Sequence, residues 1–275
     1  MEIFFADDST QRARRDTMGS LASFGGIMVN EDVIKPLGLA VDGIASEFGI
    51  PPNTEIKWSP GKDNWIYANL LGKDREECYT RLVNTTRQFE AKALVVTWAQ
   101  GCSSLKGDAA FQRCLSYAFE RITILLSKEN KNGIVLADRP GGGRSEEDQL
   151  LASFLNRVRL GTEFVMPERV LLNILTAPSH MIRHLQIADL IVGATTAMVG
   201  GLYDYAPPIF DEIRPMFVRN SYALVGGTGL KICPDRLENL YYWVLKEDKY
   251  SLPNSDYFLS LPDSSRYYCS DEFKP

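Results

Sequence analysis

The first apolar segment of the chain is followed directly by two carboxylates. Residues 3–6 have the composition of a buried β-strand, and Asp7 and Asp8 come next. The arrangement recurs at residues 133–137, a second apolar run that is followed by Asp138. Apolar strands of this kind are typical of α/β sheets, which place their chemistry at the carboxyl ends of strands. The two runs therefore predict an α/β fold with carboxylates at one edge of its sheet.

A third carboxylate interrupts an apolar helical stretch. Asp189 is the only charged residue between positions 185 and 202. An unpaired ionised group in such a helix costs several kcal/mol to desolvate, so it requires a partner. A cation would serve, and the three acidic positions together predict a metal site.

Strand and helix patterns alternate along the first 200 residues. The predicted strands cover residues 2–7, 23–29, 54–59, 93–98, 133–138 and 169–175. The predicted helices cover residues 31–48, 74–89, 111–127 and 145–160, and a further helix that carries Asp189 begins after Ser179. This order favours a mixed sheet flanked by helices, antiparallel at the start and parallel later, as in RNase H-like folds. We expect an RNase H-like catalytic domain over residues 1–202 and a tyrosine-rich carboxy-terminal extension, residues 203–275, packed on it.

Composition and charge place few limits on function. Hydrophobic residues make up 45% and charged residues 24% of the chain, which are ordinary values for a globular protein. The five cysteines include no CxxC pair, and the amino terminus lacks the features of a signal peptide, so we expect a cytoplasmic protein without a membrane span. The net charge of -5 argues against a uniformly basic surface but is compatible with a local basic groove.

Several motifs resemble those of the bacterial and phage family called domain of unknown function 3800, over roughly residues 2–200. They are the strand that leads into Asp7-Asp8-Ser9, the Glu55-x-Lys57-Trp58 segment, the strand before Asp138, and the late Leu-Gln-x-Ala-Asp-Leu helix at residues 185–190. The usual Asp-Glu-Ser of the family stands here as Asp-Asp-Ser. The resemblance implies an RNase H-like fold and a metal-dependent nuclease, in the setting of phage conflict or a mobile element.

The predicted catalytic and metal-binding residues are Asp7, Glu55, Asp138 and Asp189. Phosphodiester hydrolysis gains from two divalent cations about 4 Å apart, and Mg²⁺ and Mn²⁺ prefer carboxylate oxygen. We therefore expect a two-metal nuclease that uses Mg²⁺ or Mn²⁺ and acts on RNA or DNA. Glu55 enters this set partly through the resemblance, since it can equally be a solvated charge.

A second group of residues has predicted supporting roles. Asp8 backs the ligand Asp7, and Lys57 neutralises the acids or contacts phosphate. Gln186 shares a helix face with Asp189, so it either orients a ligand or satisfies the carboxylate, and His184 carries a proton or contacts phosphate. Arginine forks suit phosphate, and the predicted nucleic-acid contacts are Arg139, Arg144 and Arg183. Each of these charges can also be an ordinary surface residue.

Two other functions fit the same sequence. One is a non-catalytic module that binds nucleic acid or protein through its arginines and carboxy-terminal tyrosines. The other is a phosphohydrolase that acts on a small nucleotide. A zinc site at His180 and His184, spaced four residues apart, is the weaker alternative because no HExxH motif accompanies it.

Overall fold

The computed structural model describes residues 1–252 and 255–271. Six strands form the main sheet: β1 (Glu2–Arg12), β2 (Ser20–Asn30), β3 (Lys92–Ala99), β4 (Gly133–Asp138), β5 (Leu175–Ala177) and β6 (Leu230–Cys233). A separate antiparallel pair consists of β7 (Lys249–Ser251) and β8 (Phe258–Ser260). The helices are α1 (Ile34–Glu47), α2 (Trp65–Asn69), α3 (Gly72–Gln88), α4 (Gly107–Lys128), α5 (Arg144–Leu160), α6 (Arg183–Gly200) and α7 (Ala206–Ile213).

The main sheet has the strand order β5-β4-β1-β2-β3-β6. The consecutive strands β1, β2 and β3 pair antiparallel. β4 then pairs parallel with β1, and β5 with β4, which requires the helical crossovers that α4 and α5 supply. The predicted mixed α/β sheet, antiparallel first and parallel later, is confirmed.

Each face of the sheet packs against its own hydrophobic core. α6 lies on one face and contacts β1 and β2, with α1, α3 and α7 around it. α4 covers the other face, and α5 packs beside α4. From residue 184 to residue 200 every side chain of α6 is buried except that of Asp189. Despite this burial, none of the helices in the described ranges has the length and apolarity needed to cross a bilayer.

The prediction that β1 ends at its two carboxylates is wrong. β1 continues to Arg12, because β2 pairs with it along its whole length. The parallel partner β4 stops earlier, since the last pair in that register is Ala6 with Ala137. Asp7 therefore lies inside a strand, at the position where the sheet narrows and one side of β1 becomes free.

Two further strand predictions need correction. Residues 54–59 form no strand; their backbone N–H groups at Ile56 and Trp58 bind side chains of α6 instead. The strand predicted over residues 169–175 is displaced along the chain. Val170 makes an isolated bridge to Gly133, and regular pairing begins only at β5.

The tyrosine-rich part of the chain after residue 202 contributes to the main sheet. β6 extends the sheet by pairing parallel with β3, and α7 packs against α3 and α6. Its buried tyrosines serve packing, as in the stacked pair Tyr241 and Tyr250, whose ring centroids are 5.2 Å apart. Asp271 forms a buried ion pair with Arg15, which ties the end of the described chain to the segment after β1.

Gly26→Ala should destabilise the fold, because a Cβ at this position of β2 would lie 1.9 Å from the backbone oxygen of Phe5. Relieving that overlap requires a shift of the central strands, and we expect a loss of about 2 kcal/mol or more in urea unfolding. The control is Gly43→Ala in α1, where a Cβ meets nothing within 4 Å. Helix propensity predicts that this control is stabilised by up to about 1 kcal/mol. Equal stability of the two variants would contradict the packing described.

A candidate carboxylate site

Four acidic side chains converge at one edge of the sheet. Asp7 and Asp138 each follow a member of the last β1–β4 pair, so they lie on neighbouring strands. Asp189 approaches from α6, which crosses β1, and Glu55 comes from the extended segment between α1 and α2. The structure thus brings together all four acids predicted from the sequence.

Asp7 is half-buried among like charges. Desolvation raises its pKa well above the ordinary aspartate value, and the charges of Asp189, Asp8 and Asp138 raise it further. The backbone N–H of Asp8 donates to its Oδ1 at 2.7 Å and offsets part of this effect. A carboxylate in this position gains from any cation that approaches it.

Asp189 is also half-buried. Burial raises its pKa to about 6, and the charges of Glu55 and Asp138 act in the same direction. The backbone N–H of Trp58 donates to its Oδ2 at 2.5 Å, and this bond and the charge of Lys57 lower the pKa again. The net result is a pKa that stays above the ordinary aspartate value.

Lys57 supplies positive charge to the cluster. Its Nζ lies 3.4 Å from the Oε1 of Glu55, and its side chain is 40% exposed. Burial lowers the pKa of Lys57, but the charges of Glu55, Asp189 and Asp138 outweigh it and the pKa is raised. The lysine is thus charged, partly solvated and directed toward the acids.

Side chains from two helices hold the segment that carries Glu55 and Lys57. Gln186 Oε1 accepts the Ile56 N–H at 3.1 Å, and Asp189 accepts the Trp58 N–H. Tyr79 donates its hydroxyl to the carbonyl of Lys57 at 2.5 Å. Two more donors fix the start of the segment: Asn64 binds the Glu55 carbonyl at 2.8 Å, and Arg183 binds the Thr54 carbonyl at 2.9 Å.

The close approach of this segment to α6 requires a glycine. A Cβ on Gly193 would lie 2.4 Å from Cγ of Trp58. Gly193 is one turn beyond Asp189, so the indole covers the helix directly beside the carboxylate that the backbone N–H of Trp58 binds. The sequence did not single out this glycine, which is one of 21 in the chain.

Ser179 is a site residue that the sequence prediction missed. Its backbone N–H donates to Asp138 Oδ1 at 3.0 Å, and its hydroxyl donates to Glu55 Oε1. One buried residue thus orients two of the four acids. The available signal was its place after Pro178, in the short turn that leads into α6.

Gln186 is a positioning residue. Its Oε1 accepts from Ile56 and Arg183, and its Nε2 donates to the carbonyl of Ser179 at 2.9 Å. The prediction that it satisfies Asp189 is wrong, because these bonds tie the segment of Glu55 and the turn of Ser179 to α6. Gln186 therefore acts on the site indirectly, by positioning the segment of Glu55 and the turn of Ser179.

The predicted role of His184 at the site is not supported by its contacts. The imidazole is buried, stacks on Phe5 with centroids 4.6 Å apart, and places Nε2 3.0 Å from the carbonyl of Ile34. Burial lowers its pKa, so it is a neutral core residue. His180 is exposed in a 3-10 turn before α6, and the helical spacing behind the zinc alternative therefore does not exist.

The three predicted phosphate-binding arginines differ in their surroundings. Arg183 is committed to the fold, because Asp42 and the carbonyls of Thr54 and Pro52 accept from it. Arg139 is half-exposed next to Asp138 and pairs with Glu147 at 3.2 Å. Arg144 is 93% exposed and lies 3.9 Å from Asp148. Only the last two have charge available at the surface.

The donor set of the cluster fits a hard cation. All four acids offer oxygen, which suits Mg²⁺ or Mn²⁺ and disfavours zinc. Within residues 1–252 and 255–271, however, no three His, Cys, Asp or Glu side chains are arranged as a ready-made metal-binding group. The acids lie near one another without forming a closed ligand shell, and the neighbouring Asp8 is more exposed than Asp7.

Comparisons with known proteins give no family. No protein-family model matches the chain, and no curated protein is significantly similar to it. The resemblance to domain of unknown function 3800 stays a prediction from motifs, and the function must be argued from the carboxylates.

Asp189→Asn should stabilise the metal-free protein at neutral pH. The folded-state pKa of about 6 exceeds that of an unfolded aspartate, about 3.9, so the folded state binds the extra proton between these values. The contribution of Asp189 to wild-type stability should therefore fall as the pH rises from about 4 to about 6, and then level off. Asparagine removes this cost, with a gain of roughly 1 to 3 kcal/mol at pH 7.5 that vanishes near pH 4.

Urea unfolding in EDTA at pH 4, 5, 6 and 7.5 measures this effect. Asp63→Asn, in an exposed loop, is the matched control and should follow the wild type at every pH. A stability difference for Asp189→Asn that does not change between pH 4 and pH 7.5 would contradict the assigned titration.

Proposed function

We propose that the protein is a metal-dependent phosphodiester hydrolase that acts on nucleic acid, with Asp7, Glu55, Asp138 and Asp189 as its acidic centre. The observation that carries the proposal is the proximity of Asp7 and Asp189, two half-buried carboxylates from separate elements, which raises the pKa of Asp7. Like charges brought together from separate elements destabilise a fold. Their retention is best explained by a cation that binds there during function.

The architecture of the sheet supports an RNase H-like assignment. β1 to β3 are antiparallel, and β4 and β5 join β1 in parallel on the other side. This is the arrangement that the family resemblance implies. β6 is then an additional strand at the edge of β3.

Each residue of the site has a distinct part in the proposed chemistry. Bound Mg²⁺ or Mn²⁺ would supply charge stabilisation to the phosphoryl oxygens of the substrate. The Trp58 N–H keeps Asp189 ionisable near neutral pH, and Ser179 holds Asp138 and Glu55 in fixed orientations. Lys57, partly exposed beside Glu55, is placed to donate to a substrate phosphate.

The surroundings of the acids favour an extended substrate. Arg139 and Arg144 expose their guanidinium groups on either side of the glycine-rich turn of residues 141–143, which follows Asp138 in the chain. Phosphates on either side of a scissile bond can be bound by such groups. A polymer thus uses more of this surface than a single nucleotide does.

The test is cleavage of end-labelled single-stranded RNA, single-stranded DNA, duplexes and an RNA–DNA hybrid, with Mg²⁺ or Mn²⁺. We expect wild type to cut at least one of these substrates and EDTA to stop it. Asp7→Asn and Asp189→Asn should each lower the rate at least about 100-fold, because each removes charge that holds the cation. Asp63→Asn should retain wild-type activity.

Absence of cutting by folded wild type on every polymer would refute the nuclease. Metal-dependent release of phosphate from small nucleotides, lost in Asp189→Asn, would then identify the small-nucleotide hydrolase. Nucleic-acid binding that survives both asparagine substitutions, without cleavage, would instead identify the non-catalytic module.

A further inference from the structure

A cleft lies on the opposite face of the sheet from the carboxylates. It has a volume of about 600 Å³ and is bounded by α4 and by the loop that leads into β6. α4 packs in the core on the far side of the sheet from α6. The volume is within the range of about 300 to 1,000 Å³ that is typical of small-molecule sites. A neighbouring cavity shares Arg121, Thr228 and Lys231 with it.

Lys231 places a buried positive charge in this cleft. The residue is 6% exposed, although it lies on the edge strand β6. Its ion-pair partner Asp235 is 71% exposed and therefore largely solvated. An ammonium has three donors and Asp235 accepts one, so Lys231 has donors left for a ligand.

Arg121 is held rigidly beside Lys231. Its Nε and Nη2 donate to the carbonyl of Gly227 at 3.1 and 2.7 Å, and its Nη1 donates to the carbonyl of Tyr117 at 3.0 Å. Two of its five N–H groups remain after these three bonds. A preorganised fork of this kind suits a phosphate.

The cleft as a whole favours an anion. Lys128 and Arg219 add positive charge to that of Lys231 and Arg121. Two acids, Asp235 and Glu120, oppose these four cationic side chains. The lining therefore carries excess positive charge.

Aromatic and aliphatic side chains form the remaining wall. Phe164 is 63% exposed where it borders the cleft, and Tyr117 lies on the α4 side. Ile124 and Val218 also line the space. A planar ring can pack on this wall while its charged group reaches the cations.

We propose that this cleft binds a nucleoside phosphate, with its phosphate at Lys231 and Arg121 and its base against Phe164 and Tyr117. Free mononucleotides and the phosphorylated end of a strand share this chemistry. The site is separate from the proposed hydrolytic centre and does not depend on it.

Calorimetric titration of the full chain in EDTA tests the proposal without metal-dependent cleavage. The probes are AMP, adenosine, inorganic phosphate and a 5′-phosphorylated RNA decamer. AMP should bind more tightly than adenosine or phosphate, and Lys231→Met should weaken it at least tenfold. Lys128→Met, at the more exposed rim, should weaken it severalfold, which keeps the test valid if Lys231→Met does not fold. Lys73→Met, at an exposed position near the start of α3, and Asp189→Asn should bind AMP as tightly as wild type does.

Three results would overturn the proposal. The first is an absence of AMP binding at millimolar concentration, and the second is equal affinity for AMP and phosphate. The third is AMP binding that Lys231→Met and Lys128→Met retain but Asp189→Asn loses. The decamer identifies the source: tighter binding than AMP that Lys231→Met weakens supports a strand end in this cleft, and weaker binding than AMP supports a free nucleotide.

Discussion

The arrangement of the site depends on hydrogen bonds between α6 and the segment of residues 54–58. Gln186 and Asp189, three residues apart on the helix, accept the N–H groups of Ile56 and Trp58. Their side-chain oxygens accept the backbone N–H groups that a neighbouring strand would otherwise bind. As a result Glu55 and Lys57 are directed toward the end of β1 and β4, and Asp189 is fixed beside them. Without these bonds the fourth acid and its lysine would belong to a free loop.

The like charges of the cluster destabilise the folded state. Asp7 and Asp189 are desolvated near each other and near Asp138, and the pKa values of both are raised. Lys57 and the N–H donors around the acids offset this cost only in part. The surrounding fold can hold such a centre because α6 is otherwise buried against two strands of the sheet. A cation-dependent active site requires desolvated carboxylates with perturbed pKa values, held in place by a stable fold.

The sequence predicted much of this arrangement from local patterns. The apolar runs before Asp7 and Asp138 and the charge within α6 identified three acids that the structure brings together. Residues 54–59 were mistaken for a strand, because their bonding comes from residues 130 positions away in the chain. The same separation concealed Ser179 and Gly193, whose roles depend on what lies opposite. His184 and Arg183 looked functional in sequence, but tertiary packing uses both for the fold. β6, four residues long in an irregular region, carried no periodic signal.

The most direct test of the central claim is anomalous diffraction from crystals soaked in MnCl₂. We expect a manganese peak between Asp7, Asp138 and Asp189 in the wild type, with Lys57 moved off the acids, and no peak there in Asp189→Asn. An empty site in wild-type crystals at millimolar Mn²⁺ and neutral pH, with the acids still paired to Lys57, would contradict the account. The cluster would then be a charge network of the fold rather than a cation centre.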